Sequence, residues 1–151
     1  MKTTLLVSAF ISVLSLTACS QAEAPRGEAH AAMDMPGKVL ETKTKAVLIY
    51  ADWCGSCKVL DPKLKKVQSM GPMPGIEFVT LDYTAKNADD FYAQAEAAGV
   101  GKSVKNYLNG TIKTGQLLLV DIDDEKVVGK VTKTLEPNEI VTALKDALQA
   151  S

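Results

Sequence analysis

Apolar positions in this chain fall into short blocks separated by polar stretches bearing Gly and Pro, and the spacing within each block predicts an element. Ala46 to Ala51 (Ala-Val-Leu-Ile-Tyr-Ala) is continuous and apolar, the pattern of a strand buried on both faces. Beyond Cys54-Gly-Ser-Cys57, residues Leu60, Leu64 and Val67 recur at helical spacing with Lys63, Lys65 and Lys66 between them. Met70-Gly-Pro-Met-Pro-Gly75 is a breaker cluster and predicts a loop. Ile76 to Leu81 reads as a second strand ending at Asp82. A helix from Asn87 or Ala88 to Ala98 follows, with Phe91, Ala95 and Ala98 on one face and Gly99 as its stop.

Further on, Leu117-Leu-Leu-Val120 predicts a buried strand. Asp121 to Glu125 predicts a polar hairpin turn, and Lys126 to Val131 the returning strand. Pro137 opens a last helix whose buried face is expected to carry Ile140, Leu144 and Leu148. Val39-Leu40 predicts at most a short first element, where the domain begins. Between Gly99 and Lys113 the pattern is weak, and Tyr107-Leu-Asn-Gly110 either ends a short helix or forms a turn. The order β-α-β-α-β-β-α places the chain in the α/β class, and no internal repeat is visible.

The N-terminal stretch follows another logic. Lys2 precedes an apolar run from Leu5 to Leu16, twelve residues long and too short for an ordinary membrane span. It ends in Leu16-Thr-Ala-Cys19, which resembles the bacterial lipobox. That resemblance implies a signal peptide over residues 1–18, cleavage before Cys19, and acylation of its sulfur and new amino group. The alternative is an ordinary signal peptide cut near Ala18, which leaves a free thiol. Several acyl chains make a stable anchor where one is marginal. Ser20 after the cysteine implies the outer membrane where a cell has two. Residues 19–37 lack hydrophobic periodicity and read as a lipidated cysteine on a flexible tether, leaving residues 38–151 as the domain. The tether holds the only histidine, His30, with Met33 and Met35. Such side chains suit soft metal ions such as Cu(I), or are incidental to a solvated linker.

Composition narrows the functional classes. With 46% hydrophobic and 23% charged residues in 151, the chain suffices for one modest core. A net charge of −1 and mixed lysines and acids give no basic patch, so no nucleic-acid partner is expected.

Cys54 and Cys57 carry the chemistry. They sit at a predicted strand-to-helix turn, where unpaired backbone N–H groups and the helix dipole favour a thiolate. Two intervening residues let Cys57 reach Cys54 and resolve an attacked disulfide within the same loop. A zinc site needs four ligands, and Cys19 and His30 are the only other Cys or His, so no metal is expected. A permanent disulfide closing so small a loop restrains the unfolded chain little, which favours exchange over a purely structural role.

These residues resemble the thioredoxin superfamily. Trp53 before the first cysteine, Gly55 after it, and Pro62 five residues past Cys57 all match that family's pattern over roughly residues 38–150, and Tyr50-Ala-Asp-Trp-Cys54 is similar to its extracytoplasmic reductase domains. The resemblance implies a central mixed sheet flanked by helices, with an insertion over residues 99–113 before the third core strand. That insertion is either a partner-selecting rim or scaffold. It also implies Cys54 as nucleophile and Cys57 as resolving thiol. Gly55, Ser56 and Lys58 are then neighbours tuning the site, Trp53 shields one flank, and Pro62 frees the Lys58 carbonyl. The backbone at Thr114-Gly115 becomes a docking edge for an extended peptide.

Two departures stand out. The family's buried aspartate falls on Leu48, so a proton leaving Cys57 needs another route, through water or Lys58. The family's cis-proline falls on Gly115. A cis bond before a non-proline residue costs about 2.5–4 kcal/mol, so Thr114–Gly115 is expected to be trans. Glycine then serves for unusual φ and close approach to Cys54, or is only a turn before a strand.

The reading is a lipid-anchored, extracytoplasmic thiol–disulfide oxidoreductase without cofactor. It is expected to be a monomer acting as a reductase on protein disulfides, recharged by a membrane electron donor. The alternative is a copper carrier or metalloprotein assembly factor using the same cysteines.

Overall fold

Both faces of the first apolar run are covered by helices, and the rest of the architecture follows from that. The computed structural model describes residues 41–151. The signal segment, Cys19, the tether with His30, Met33 and Met35, and Val39-Leu40 lie outside the described residues. The elements are β1 (Thr44–Tyr50), α1 (Gly55–Ser69), β2 (Ile76–Asp82), α2 (Ala88–Ala97), α3 (Gly101–Leu108), β3 (Gln116–Asp121), β4 (Lys126–Thr132) and α4 (Pro137–Gln149). The strands form one mixed sheet in the order β2-β1-β3-β4, with β1 parallel to β2 and antiparallel to β3, and β3 antiparallel to β4.

Alternate residues of β1 enter two cores, as the period of two in a strand requires. Ala46 and Leu48 pack with Leu60, Leu64 and Val67 of α1 and with Ile140, Leu144 and Ala147 of α4. Val47 and Ile49 pack on the opposite face with Leu81, Phe91 and Ala95, and with Val104 and Leu108 of α3. β3 is buried along its whole length between the same layers, which explains its unbroken apolar sequence. The polar residues that extend β1 are satisfied: Thr44 Oγ1 lies 3.1 Å from Ser151 Oγ, and Lys45 Nζ donates to the Ala98 carbonyl at the end of α2 (2.7 Å). Lys63 Nζ ties α1 to the start of α4 through the Lys133 and Leu135 carbonyls (3.0 Å each).

The elements expected from Ala46 onward are all present, with adjusted ends. The weak stretch contains a short helix, α3, which Tyr107-Leu108-Asn109 ends, the first of the two alternatives, with Asn109 in the left-handed region at φ 45°. Ala147, rather than Leu148, completes the buried face of α4; Leu148 is half-buried.

Candidate active site

Register places the site. Tyr50 pairs with Asp82, Ile49 with Gln116, and Gln116 with Thr132, so the C-terminal ends of β1, β2 and β4 share one edge of the sheet with the start of β3. Directly beyond β1, the chain turns at Asp52-Trp53 and enters α1. Cys54 is the N-cap of that helix, in extended backbone, and its Sγ accepts from the Cys57 N–H (3.3 Å). A sulfur thus takes the place usually held by a capping oxygen, satisfying one of the helix's unpaired donors. Cys57 lies one turn on, fully buried, and its thiol donates to the Ile49 carbonyl (3.7 Å). Both cysteines are free thiols.

Their acidities diverge. At Cys54 burial is the largest influence and opposes ionisation. Hydrogen bonds from the Cys57 and Thr114 side chains and from the Cys57 and Ser56 backbone together outweigh it and lower the pKa. At Cys57, burial and then the bond to the Cys54 sulfur push the pKa up to about 11, against smaller opposing contributions from the Ala51 and Gly115 backbone. One thiol is poised to ionise first while the other holds its proton.

The loop before β3 closes over this pair. Gly115 is buried at φ 81°, its N–H donates to the Ile49 carbonyl (2.8 Å), and the described residues contain no cis peptide bond. A Cβ at Gly115 would stand 2.5 Å from Ser56 Cβ and 3.1 Å from Cys54 Sγ. Glycine is therefore demanded twice, by backbone conformation and by contact. It is more than a turn residue.

Trp53 forms the other flank, 47% exposed. Its Nε1–H donates to the Thr84 carbonyl (3.0 Å), Tyr83 meets its ring edge-on, and Lys86 Nζ lies 4.9 Å from the ring centroid. Thr84 Oγ1 also accepts from the Asp52 N–H (3.1 Å), so the β2–α2 connection holds the cysteine turn in place. Among the described residues no group of three His, Cys, Asp or Glu side chains converges on one point.

Residues 37–96 match the protein family described as Thioredoxin, a segment that takes in β1, both cysteines, α1, β2 and nearly all of α2. That segment is similar to thioredoxin, and a mixed four-stranded sheet flanked by helices is a thioredoxin-like fold. Similar solved structures include thioredoxin from Trypanosoma brucei brucei (16% identity, 74% of this chain and 80% of that one, TM-score 0.47) and thioredoxin f from spinach chloroplast (19%, 78% and 87%, TM-score 0.44). StoA from Bacillus subtilis is also similar (10% identity, 66% and 81%, TM-score 0.44). No curated protein sequence matches the chain.

The residues singled out in the sequence are distributed unevenly. Cys54, Ser56, Cys57, Thr114 and Gly115 converge. Gly55 is exposed, and nothing lies within 4 Å of where its Cβ would be, so space does not require glycine there. Pro62 is exposed within α1, whose course continues through it. Lys58 is exposed while Cys57 is fully buried. Leu48 is core. Sequence reasoning missed Thr84, Lys86 and the Ile49 carbonyl. The first two act across about thirty residues of chain, and the third is a backbone atom, which residue identity does not mark.

Proposed function

We propose that this protein is a lipid-anchored, extracytoplasmic reductase of protein disulfides, with Cys54 as nucleophile and Cys57 as resolving thiol. The observation that carries the assignment of roles is the opposite displacement of the two acidities within one helical turn. The Cys54 thiolate attacks one sulfur of a substrate disulfide. A Cys54–substrate bond forms, the substrate disulfide breaks, and the departing sulfur takes the electron pair and then a proton. Cys57 loses its proton and attacks Cys54 Sγ, forming the Cys54–Cys57 disulfide and releasing the substrate as a dithiol. Two electrons have then passed from protein to substrate, and a dithiol donor at the membrane restores the pair.

Trp53 and the Thr114-Gly115 backbone flank the path by which an extended substrate reaches Cys54. Anchoring is supported by the Leu16-Thr-Ala-Cys19 sequence, and the reductase direction by the similarity of Tyr50-Ala-Asp-Trp-Cys54 to reductase domains. Copper carriage by the same cysteines is the alternative reading, and Cu(I) binding to the reduced protein without turnover of a disulfide substrate would favour it.

The test joins location with redox state. Cys19→Ala should release the protein from membranes and abolish acyl labelling. In cells the Cys54–Cys57 pair should be found mostly reduced. A mostly oxidised pair would overturn the direction, and unchanged membrane retention with acyl mass in the variant would overturn the anchor.

A further inference from the structure

Resolution requires a thiolate at Cys57, yet that sulfur is fully buried and no carboxylate is among the groups that act on its acidity. Apart from the Cys54 sulfur, the groups that act on it are main-chain. The Ile49 carbonyl accepts from the Cys57 thiol (3.7 Å) and, on the same oxygen, from the Gly115 N–H (2.8 Å). Thiol and amide therefore converge on one acceptor, with Gly115 packed against the turn that carries both cysteines. When Cys57 ionises, it stops donating to Ile49 and becomes an acceptor, and the amide beside it is the donor already in place.

We propose that the Gly115 main-chain N–H is a positioning group for the resolving step, shared between the Ile49 carbonyl and the Cys57 sulfur and shifted onto that sulfur as it becomes a thiolate. The inference rests on the roles given above to Cys54 and Cys57. A proline at this position would have no N–H to offer, so the glycine supplies a function that residue type could not. The same logic governs an oxyanion hole: a fixed donor aimed where charge develops needs no reorganisation when it develops. Acidity agrees in direction, since the Gly115 and Ala51 backbone groups both favour the Cys57 thiolate while burial opposes it. The chemistry balances within the exchange itself. The Cys57 proton ends on the substrate thiolate that leaves, the Cys57–Cys54 bond replaces the Cys54–substrate bond, and no other oxidant or reductant takes part.

The experiment removes the N–H while keeping every side chain, by an amide-to-ester replacement at Gly115 made by semisynthesis of the full chain. The preformed mixed disulfide between Cys54 and a small aromatic thiol is then followed as the thiol is released. Release should slow about tenfold, the factor carried by one hydrogen bond to an ionised group, and its pH profile should move upward. Alkylation of Cys54 at neutral pH should proceed near the unmodified rate. Slowed alkylation together with normal release would instead undo the assignment of roles to the two cysteines. Release at the unmodified rate with an unmoved pH profile would overturn the proposal. Should the ester protein fail to fold, carbon-detected NMR of the unmodified reduced protein decides. The Gly115 nitrogen resonance should move with the Cys57 titration near pH 11, and a resonance that ignores it would overturn the proposal.

Discussion

Gly115→Ala puts a methyl group where the fold leaves no room, and a second glycine supplies the reference for its cost. Gly115 and Gly110 share nearly the same φ, 81° and 80°, but a Cβ at Gly110 meets nothing within 4 Å. Gly110→Ala therefore reports left-handed strain alone, about 1–2 kcal/mol. Gly115→Ala bears the same strain and adds contacts of 2.5 Å to Ser56 Cβ and 3.1 Å to Cys54 Sγ. The first is with a helix-borne atom that has little freedom to withdraw, so an overpacking cost of about 1–3 kcal/mol is added. Urea unfolding of the reduced proteins should place Gly115→Ala below Gly110→Ala by that added amount. Ser56→Gly should recover part of the difference, with a coupling of at least about 0.5 kcal/mol in the double-mutant cycle. Equal destabilisation by the two alanines would refute the claim that Gly115 is held against the cysteine turn.

Other expectations follow from the same geometry. The raised Cys57 acidity means that the folded protein holds this proton more tightly than the unfolded chain does. Stability of the reduced protein should be intact below the ordinary cysteine value of 9.0, then fall as pH rises toward about 11, and Cys57→Ser should remove that fall; denaturant midpoints across this range provide the check. Thr84→Val leaves the Asp52 N–H without its acceptor and should cost about 1 kcal/mol. Because Trp53 is the only tryptophan, its fluorescence should change in the folded state of that variant, and an unchanged spectrum and midpoint would show the loop contact to be incidental. Gly55→Ala, with open space at its Cβ and helical backbone, should leave stability unchanged or slightly raised, measured by the same unfolding assay.

The parts of the fold that were legible in the sequence are those in which burial repeats at the period of the element. β1 was readable because Ala46, Val47, Leu48 and Ile49 are buried on alternate faces, and α1 because Leu60, Leu64 and Val67 share a stripe. α3 was legible only as one of two alternatives, because its start at Val100-Gly101 has no capping side chain and only two of its large side chains, Val104 and Leu108, are buried. Leu148 was assigned to the core of α4 by size and spacing, but the smaller Ala147 faces inward and the larger residue lies at its margin. In the site, the cysteines declared themselves through spacing and position. Gly115 could be flagged only as a departure from a family pattern, and its contact with Ser56 needed three dimensions. The clasp of Thr84 and Lys86 on Trp53 joins two segments that no local pattern connects.

The central claim is an order of events at two sulfurs, and trapping reads it directly. Cys57→Ser and Cys54→Ser proteins would each be incubated with a disulfide-bonded protein substrate at neutral pH, and the adducts mapped by mass spectrometry. The account predicts a lasting substrate adduct on Cys54 in the Cys57→Ser protein and almost none on Cys57 in the Cys54→Ser protein, since the remaining thiol there is buried and keeps its proton. Adducts accumulating on Cys57 instead would contradict it.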